Sequence, residues 1–93
     1  MSRALKDIAK RLEMTRGALG ISAAQIARDT DISANEWSQY INPDKYKRRI
    51  SVEHVYELKD TYGATLEWIY DGDVSSLRGE LAAKIRAMIK SAA

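Results

Sequence analysis

The chain contains no cysteine and only one histidine, His54, among its 93 residues. The lack of cysteine excludes a disulfide scaffold and any thiolate zinc site, and it fits a reducing compartment. A single histidine without cysteine cannot form a recognisable zinc site either. We therefore expect no metal and no cofactor, and we expect His54 to be a surface residue of its helix.

Long apolar runs and catalytic motifs are also missing. The opening residues, MSRALKDIAKRLEM, include no stretch long enough for a signal peptide or a membrane span. The chain has no glycine-rich phosphate loop, no Walker-type lysine and no plausibly placed Ser/His/Asp set. We therefore expect a cytoplasmic protein that makes no membrane contact and is not an enzyme.

The charges that are present are distributed unevenly. Net charge is only +2, but residues 1–20 carry five basic and two acidic side chains. Residues 42–50 carry four basic side chains and one acidic, whereas residues 51–73 carry six acidic side chains and one lysine. Each segment alone could simply be a solvated surface. Two basic segments on either side of residues 21–41, however, favour a polyanionic partner.

Apolar spacing indicates helices almost throughout and no strand, so the predicted class is all-α. The first helix is predicted over about 3–18, ending near Gly17 and Gly20. Later helices are predicted to begin after Ser51 and at Thr65. A last amphipathic helix, over about 76–91, places four apolar positions on one stripe: Leu77, Leu81, Ile85 and Met88/Ile89.

Two Ser-x-x-Gln/Glu signatures, SAAQ at 22–25 and SANE at 33–36, lie eleven residues apart. Each has the form of a capping box, in which the serine accepts a backbone N–H and the Gln or Glu reaches back. The spacing predicts a helix-turn-helix, with Asp31 in a left-handed conformation at the turn. The second of these helices should cover about 33–42, because Pro43 cannot continue a helix.

The helix over 33–42 has an apolar and a polar side. Trp37, Tyr40 and Ile41 are spaced to face inward, and we expect Trp37, like Trp68, to be a core residue. Asn35 and Gln39 share the opposite side, where amides can pair with adenine in the major groove. The alternative is that both are ordinary solvent-facing polar residues.

Two further positions on this helix allow a weaker interpretation. Glu36 is a helix cap, an acceptor from cytosine N4, or both. Ala34 has no hydrogen-bonding side chain and could contact only a thymine methyl.

This helix carries no lysine or arginine, so phosphate contacts must come from its flanks. The candidates are Lys45, Tyr46, Lys47, Arg48 and Arg49 in the predicted loop 44–49, with Arg16 and Arg28, which could equally be solvated.

The runs "ALGISAAQIARDTDIS…W" and "SVEHVYELKDTYGATLEWIYDGD" together resemble the Xre/Cro (phage-repressor-like) helix-turn-helix family over about residues 5–73. The resemblance implies a compact five-helix bundle whose third helix enters the major groove, with dimers reading two half-sites. The family's base-facing positions fall on Ala34, Asn35, Glu36 and Gln39. Its phosphate-contacting positions fall on the caps Ser22 and Ser33 and on the loop that begins at Asn42.

The chain departs from the family pattern in three places. Ala23 stands where the family often has a glutamine that reaches a phosphate, and Asp31 replaces the turn glycine. The loop after the third helix is about three residues longer than usual. The first two departures weaken the expected affinity for DNA, and the third leaves the path of the loop open.

We predict a helix-turn-helix domain over 1–73 and a C-terminal helix over 74–93 that serves packing or dimerisation. The predicted function is a sequence-specific transcriptional regulator, a repressor, that binds double-stranded DNA as a homodimer. The alternative is an antitoxin or another protein-interaction module whose DNA binding is autoregulatory and whose last helix covers a partner such as a toxin. A scaffold without DNA function would make the basic segment and both amides coincidental.

Overall fold

The computed structural model describes residues 3–92, and its regular elements over that range are all helical, which confirms the all-α prediction. A 3₁₀ turn, Val74–Ser76, precedes the last helix. The α-helices are α1 (Leu5–Leu19), α2 (Ala23–Asp29), α3 (Ala34–Tyr40), α4 (Pro43–Tyr46), α5 (Val52–Tyr62), α6 (Leu66–Asp71) and α7 (Gly79–Ala92).

Local signals account for most of these boundaries. Ser51 Oγ accepts from the backbone N–H of His54 at 3.2 Å, and Thr65 Oγ1 accepts from that of Trp68 at 3.1 Å. These caps satisfy first-turn donors and begin α5 and α6 as predicted. Gly20, at φ +68°, ends α1 in the left-handed conformation that glycine adopts without steric cost.

Gly17 is one of the two glycines near which α1 was predicted to end, but it lies inside the helix. The left-handed residue that closes the helix is Gly20, three positions later. A Cβ built on Gly17 would meet Met88 Cε at 3.7 Å, an ordinary van der Waals distance. Gly17 therefore marks where α7 approaches α1 rather than a helix end.

The core is one hydrophobic cluster that includes Ile8, Leu12 and Ala18 of α1. Trp37 and Trp68 are 1% and 2% exposed, which confirms the core role predicted for both. Each indole N–H is satisfied from α1: Trp37 Nε1 donates to Glu13 Oε2 at 3.1 Å, and Trp68 Nε1 donates to Thr15 Oγ1 at 3.0 Å. Both aromatic anchors are therefore buried without leaving an orphaned donor.

Arg11 of α1 carries a charge, yet it is only 9% exposed. Its Nε donates to the carbonyl oxygen of Ile69 and its Nη2 to that of Tyr70, both at 2.9 Å. Carbonyls in the last turn of a helix lack intrahelical partners. Arg11 supplies donors at the end of α6, and this compensates the burial of a charged side chain.

The last helix packs along α1, with Leu81 and Ile85 buried in the same cluster as the rest of the core. It begins at Gly79 rather than near 76, because the Asp73 carboxylate accepts from the Ser75 N–H at 3.0 Å and holds a separate 3₁₀ turn. Leu77 is buried just before the helix, whereas Ile89 remains 43% exposed. The predicted stripe is thus divided between the core and solvent.

Tyr62 joins α5 to α2 by donating its hydroxyl to Asp29 Oδ2 at 3.0 Å. Burial, reinforced by this hydrogen bond, raises the pKa of Tyr62 to about 12 from an ordinary value of 10.0. A folded-state pKa above the unfolded value means that the native state holds the proton more tightly. The resulting stabilisation is complete below about pH 10 and is lost as pH rises toward 12.

Tyr62→Phe should therefore make the alkaline loss of stability shallower, while costing less than about 1.5 kcal/mol at pH 7. Urea unfolding at pH 7 and at steps between about 10 and 12 measures both effects. Tyr56→Phe is the matched control, because the exposed Tyr56 hydroxyl has no hydrogen-bond partner within residues 3–92. An alkaline slope identical in Tyr62→Phe and the wild type would contradict the assignment.

Candidate nucleic-acid interface

The helices α2 and α3 contact each other and are separated by four residues, 30–33. Ser33 makes the full capping box predicted for it: its Oγ accepts from the Glu36 N–H at 3.0 Å, and Glu36 Oε1 accepts from the Ser33 N–H at 3.1 Å. This bond from the Ser33 backbone is the main cause of a lowered pKa for Glu36. Glu36 therefore stays ionised at neutral pH.

The capping box predicted at Ser22 is only half formed. Ser22 Oγ accepts from the Gln25 N–H at 3.1 Å, but the Gln25 amide does not reach back. Its Nε2 instead donates to both carboxylate oxygens of Asp29, at 3.0 and 2.9 Å. A charged acceptor one turn along the helix competes successfully with the neutral capping geometry.

The turn between the two helices does not use a left-handed Asp31, so that prediction is wrong. Among non-glycine residues within 3–92, positive φ occurs only at Lys47. Thr30 closes the turn instead, since its Oγ1 donates to the Ile26 carbonyl at 2.7 Å and accepts from the Ile32 N–H at 3.1 Å. The Asp31 N–H donates to Glu57 Oε1 on α5 at 3.1 Å.

The helix α3 is held rigidly by its inner side. Trp37 and Tyr40 are buried, and Ile41 is partly buried against the core, as their spacing predicted. Ala34 and Asn35 are exposed. Within residues 3–92, Asn35 has no hydrogen-bond partner, so both its donor and its acceptor face solvent.

Arg48 brings a positive charge onto α3, which has none of its own. Its Nη1 donates to Gln39 Oε1 at 2.7 Å, and its Nη2 lies 3.4 Å from Glu36 Oε2. The guanidinium carbon also stands 4.9 Å from the centroid of the Tyr40 ring. Arg48, predicted as a phosphate contact, therefore rests against two of the predicted base-reading side chains.

His54 is not the surface residue that was expected. Its side chain is 16% exposed, and its Nδ1 lies 2.6 Å from the hydroxyl oxygen of Tyr40. Its Nε2 is 4.0 Å from Glu36 Oε2. The contact with Tyr40 ties α5 to α3 and restrains the ring beneath Arg48.

The basic segment is not the continuous loop predicted for 44–49, because its first half forms α4. Pro43 occupies the first turn of α4, where its missing N–H costs nothing. Lys47 then ends α4 at φ 50°. Lys45 and Lys47 are exposed. Lys45 Nζ lies 5.2 Å from the ring centroid of the exposed Tyr46.

The predicted phosphate contacts Arg49 and Asn42 each have a protein partner. Arg49 Nη1 donates to the carbonyl oxygen of Arg3 at 2.6 Å and lines a surface cavity of about 620 Å³ with Val52 and Tyr70. Asn42 Nδ2 donates to the Ser38 carbonyl at 2.6 Å. Arg48 and Arg49 are adjacent in sequence but contact different neighbours.

Arg16 and Arg28, the two weaker phosphate candidates, are also paired within the protein. Arg16 makes a two-pronged contact with Glu13, at 2.8 and 3.0 Å, and donates to the Ile21 carbonyl at 2.9 Å. Arg28 donates to Gln25 Oε1 at 2.6 Å. Within residues 3–92, Lys45 and Lys47 form no ion pair, and Lys47 Nζ donates to the Asp44 carbonyl oxygen at 3.4 Å.

Sequence reasoning missed the roles of Arg48, Tyr40 and His54 at this surface. Gln39 and Arg48 are nine residues apart on either side of a helical turn, and Tyr40 and His54 are fourteen apart. Neither pair lies on one helix, so the helical repeat predicts neither contact. The longer loop after the third helix was the only signal in the sequence for these contacts. Its length does not predict the direction in which the chain returns to α3.

Comparisons with known proteins found no matching family model, no matching curated protein and no matching solved structure. In the part of the chain that the structure describes, no group of three or more His, Cys, Asp or Glu residues could hold a metal ion. None of the helices between residues 3 and 92 combines the length and apolarity needed to cross a membrane.

Proposed function

We propose that the protein is a sequence-specific DNA-binding transcriptional regulator that places α3 in the major groove. The observation that carries this proposal is the outer side of α3. It combines the Asn35 side-chain amide, which has no partner within residues 3–92, with the Gln39–Arg48 pair, on a helix fixed from beneath by Trp37 and Tyr40. Major-groove readout requires hydrogen-bonding groups held in a set position on an element about the width of a helix.

The charge distribution supports the proposal. Lys45 and Lys47 are exposed directly after α3, where they could neutralise phosphates without reading sequence. Each neutralised phosphate adds about 0.9 to the slope of log affinity against log salt concentration. The exposed carboxylates of α5, such as Glu53 and Asp60, would disfavour binding through that helix.

We further propose that α1, α2, α3, α5 and α6 form a repressor-like five-helix unit that acts as a homodimer. Half-sites read by helix-turn-helix dimers lie about 34–36 Å apart. The chain measures 30 × 26 × 21 Å, so two copies fit side by side on one face of the duplex. Occupying a near-palindromic operator in this way would repress transcription.

Selection of bound duplexes from a randomised library by the purified protein tests this function. The expected result is a recurring, near-palindromic sequence with half-sites one helical turn apart. Recovery of unrelated sequences, with binding that depends on salt but not on sequence, would refute the regulator as a specific reader.

Asn35→Ala should weaken binding to the selected operator by about 5- to 150-fold, because one amide–base pair is worth about 1–3 kcal/mol. Affinity for random duplex and the salt slope should stay almost unchanged. Fluorescence anisotropy titrations at several salt concentrations measure all three quantities.

Lys45→Ala is the matched control, with the opposite expected behaviour. It should weaken binding to operator and random duplex by similar factors and reduce the salt slope by about 1. If Asn35→Ala lowers random-duplex affinity as much as operator affinity, then Asn35 does not read bases.

A further inference from the structure

We propose that Arg48 is a specificity-determining residue, which orients Gln39 so that the two side chains together select guanine rather than adenine. This inference rests on the proposed function, since it concerns the base that the same surface reads. It changes the expectation, drawn from the sequence, that Gln39 pairs with adenine.

The orientation of the Gln39 amide follows from the chemistry of its partner. A guanidinium has five N–H donors and no acceptor. The Gln39 atom that lies 2.7 Å from Arg48 Nη1 is therefore the carbonyl oxygen, Oε1. The amide NH₂ group is directed away from Arg48, and it is the part of Gln39 left to meet a base.

Adenine requires both halves of an amide. Its N6 amino group donates to the amide oxygen while its N7 accepts from the amide NH₂. In this protein the Gln39 oxygen already accepts from a cation, and an incoming N6 amino group would meet the N–H donors and positive charge of Arg48. The adenine pairing is therefore disfavoured at Gln39.

Guanine matches what remains. Its major-groove edge presents two acceptors, O6 and N7. The Gln39 NH₂ group and the N–H groups of Arg48 that contact neither Gln39 nor Glu36 are all donors, and the acceptor beside them, Glu36 Oε2, lies 3.4 Å from Arg48 Nη2. A base edge made of acceptors fits these donors, whereas the adenine edge places one donor against them.

The arginine is restrained enough to act in this way. Besides Gln39, it lies 3.4 Å from Glu36 Oε2 and 4.9 Å from the Tyr40 ring centroid, and Tyr40 is 2% exposed. Three contacts with α3 hold the guanidinium in register with the helix. Asn35, which has no partner in the described range, keeps the adenine preference expected of a free amide.

The test compares library selections by the wild type, Arg48→Ala and Gln39→Ala. The wild type should select guanine at one position of each half-site, and Gln39→Ala should relax the preference at that position. Arg48→Ala frees the Gln39 oxygen, so the guanine-to-adenine preference there should fall at least tenfold and shift toward adenine. Arg49→Ala, a change of the neighbouring arginine, should leave that preference intact.

Arg48→Lys separates charge from orientation, because a lysine keeps the charge but lacks the planar fork. It should preserve the salt slope and still relax the guanine preference. If Arg48→Ala instead weakens all sequences alike, lowers the salt slope by about 1 and leaves the guanine preference unchanged, Arg48 is a phosphate contact only. The inference then fails while the proposed function stands.

A measurement without DNA tests whether Arg48 and Gln39 are paired in the free protein. In the free protein, the NMR signals of the Gln39 side-chain NH₂ should shift in Arg48→Ala and stay in place in Arg49→Ala. Unchanged signals in Arg48→Ala would overturn the pairing itself. A shifted signal combined with a wild type that selects no sequence would refute the proposed function, and the guanine preference with it.

Discussion

Trp37→Ala is expected to lower the free energy of unfolding by about 3–5 kcal/mol, the range for truncating a fully buried aromatic side chain. Trp37 is 1% exposed and is among the largest of the fully buried side chains. A domain of this size has a total stability of about 5–15 kcal/mol. The expected loss is therefore a large fraction of the total stability.

The physical reason lies in what Trp37 connects. Its ring anchors α3 in the core, and its Nε1 donates to Glu13 Oε2 on α1 at 3.1 Å. Truncation leaves a cavity beneath α3 and removes one partner of a half-buried carboxylate. Arg16 still holds Glu13, so the cavity accounts for most of the expected loss.

Urea unfolding followed by circular dichroism measures the change, and Trp37→Phe is the matched variant. Phenylalanine keeps most of the apolar volume but lacks the N–H, so it should cost much less than alanine. A loss below about 1 kcal/mol for Trp37→Ala would mean that α3 is not anchored in this way. If Trp37→Phe folds fully but no longer binds DNA, the Glu13 contact sets the position of α3.

Ile85→Ala is expected to cost about 2–5 kcal/mol, whereas Ile89→Ala should stay within about 0.5 kcal/mol. The two isoleucines are one turn apart on α7 and belong to the same apolar stripe of the sequence. Ile85 is fully buried against the core, but Ile89 is 43% exposed. The pair therefore compares the same substitution on one helix in two environments.

Thermal and urea unfolding of the two variants at several protein concentrations makes this comparison. Equal losses for both would contradict the packing of α7 on α1. A loss for Ile89→Ala that grows with protein concentration and disappears on dilution would show that this end of the stripe is covered by a second copy, because a partner stabilises the folded chain only at concentrations where the dimer forms. Ile85→Ala should lose stability at every concentration.

Helix class and most helix boundaries could be predicted because their causes are local. The cap of Ser33 joins residues three apart, as do the caps of Ser51 and Thr65. A left-handed glycine such as Gly63, at φ +81°, ends a helix by its own backbone freedom. The inward side of α3 follows equally directly from the helical repeat that places Trp37 and Tyr40 together.

Local patterns failed where two partners competed for the same group. Gln25 has the form of a capping residue, yet its amide binds Asp29, which lies within reach on the same helix. Asp31 has a type that tolerates left-handed backbone, but Thr30 closes the turn and removes the need for it. A sequence signature indicates that a contact is possible and does not rank it against the alternatives.

The chemistry of the candidate interface was decided by the tertiary structure. Asn35 and Gln39 share a helix side by their spacing alone, but only the return of the chain after α4 places Arg48 on Gln39. The burial of Arg11 depends in the same way on α6, whose carbonyls lie 58 and 59 positions further along the chain. The Arg11 contacts form because packing brings a charged side chain into low-dielectric surroundings, where it needs a partner. No repeat or short motif encodes which partner that will be.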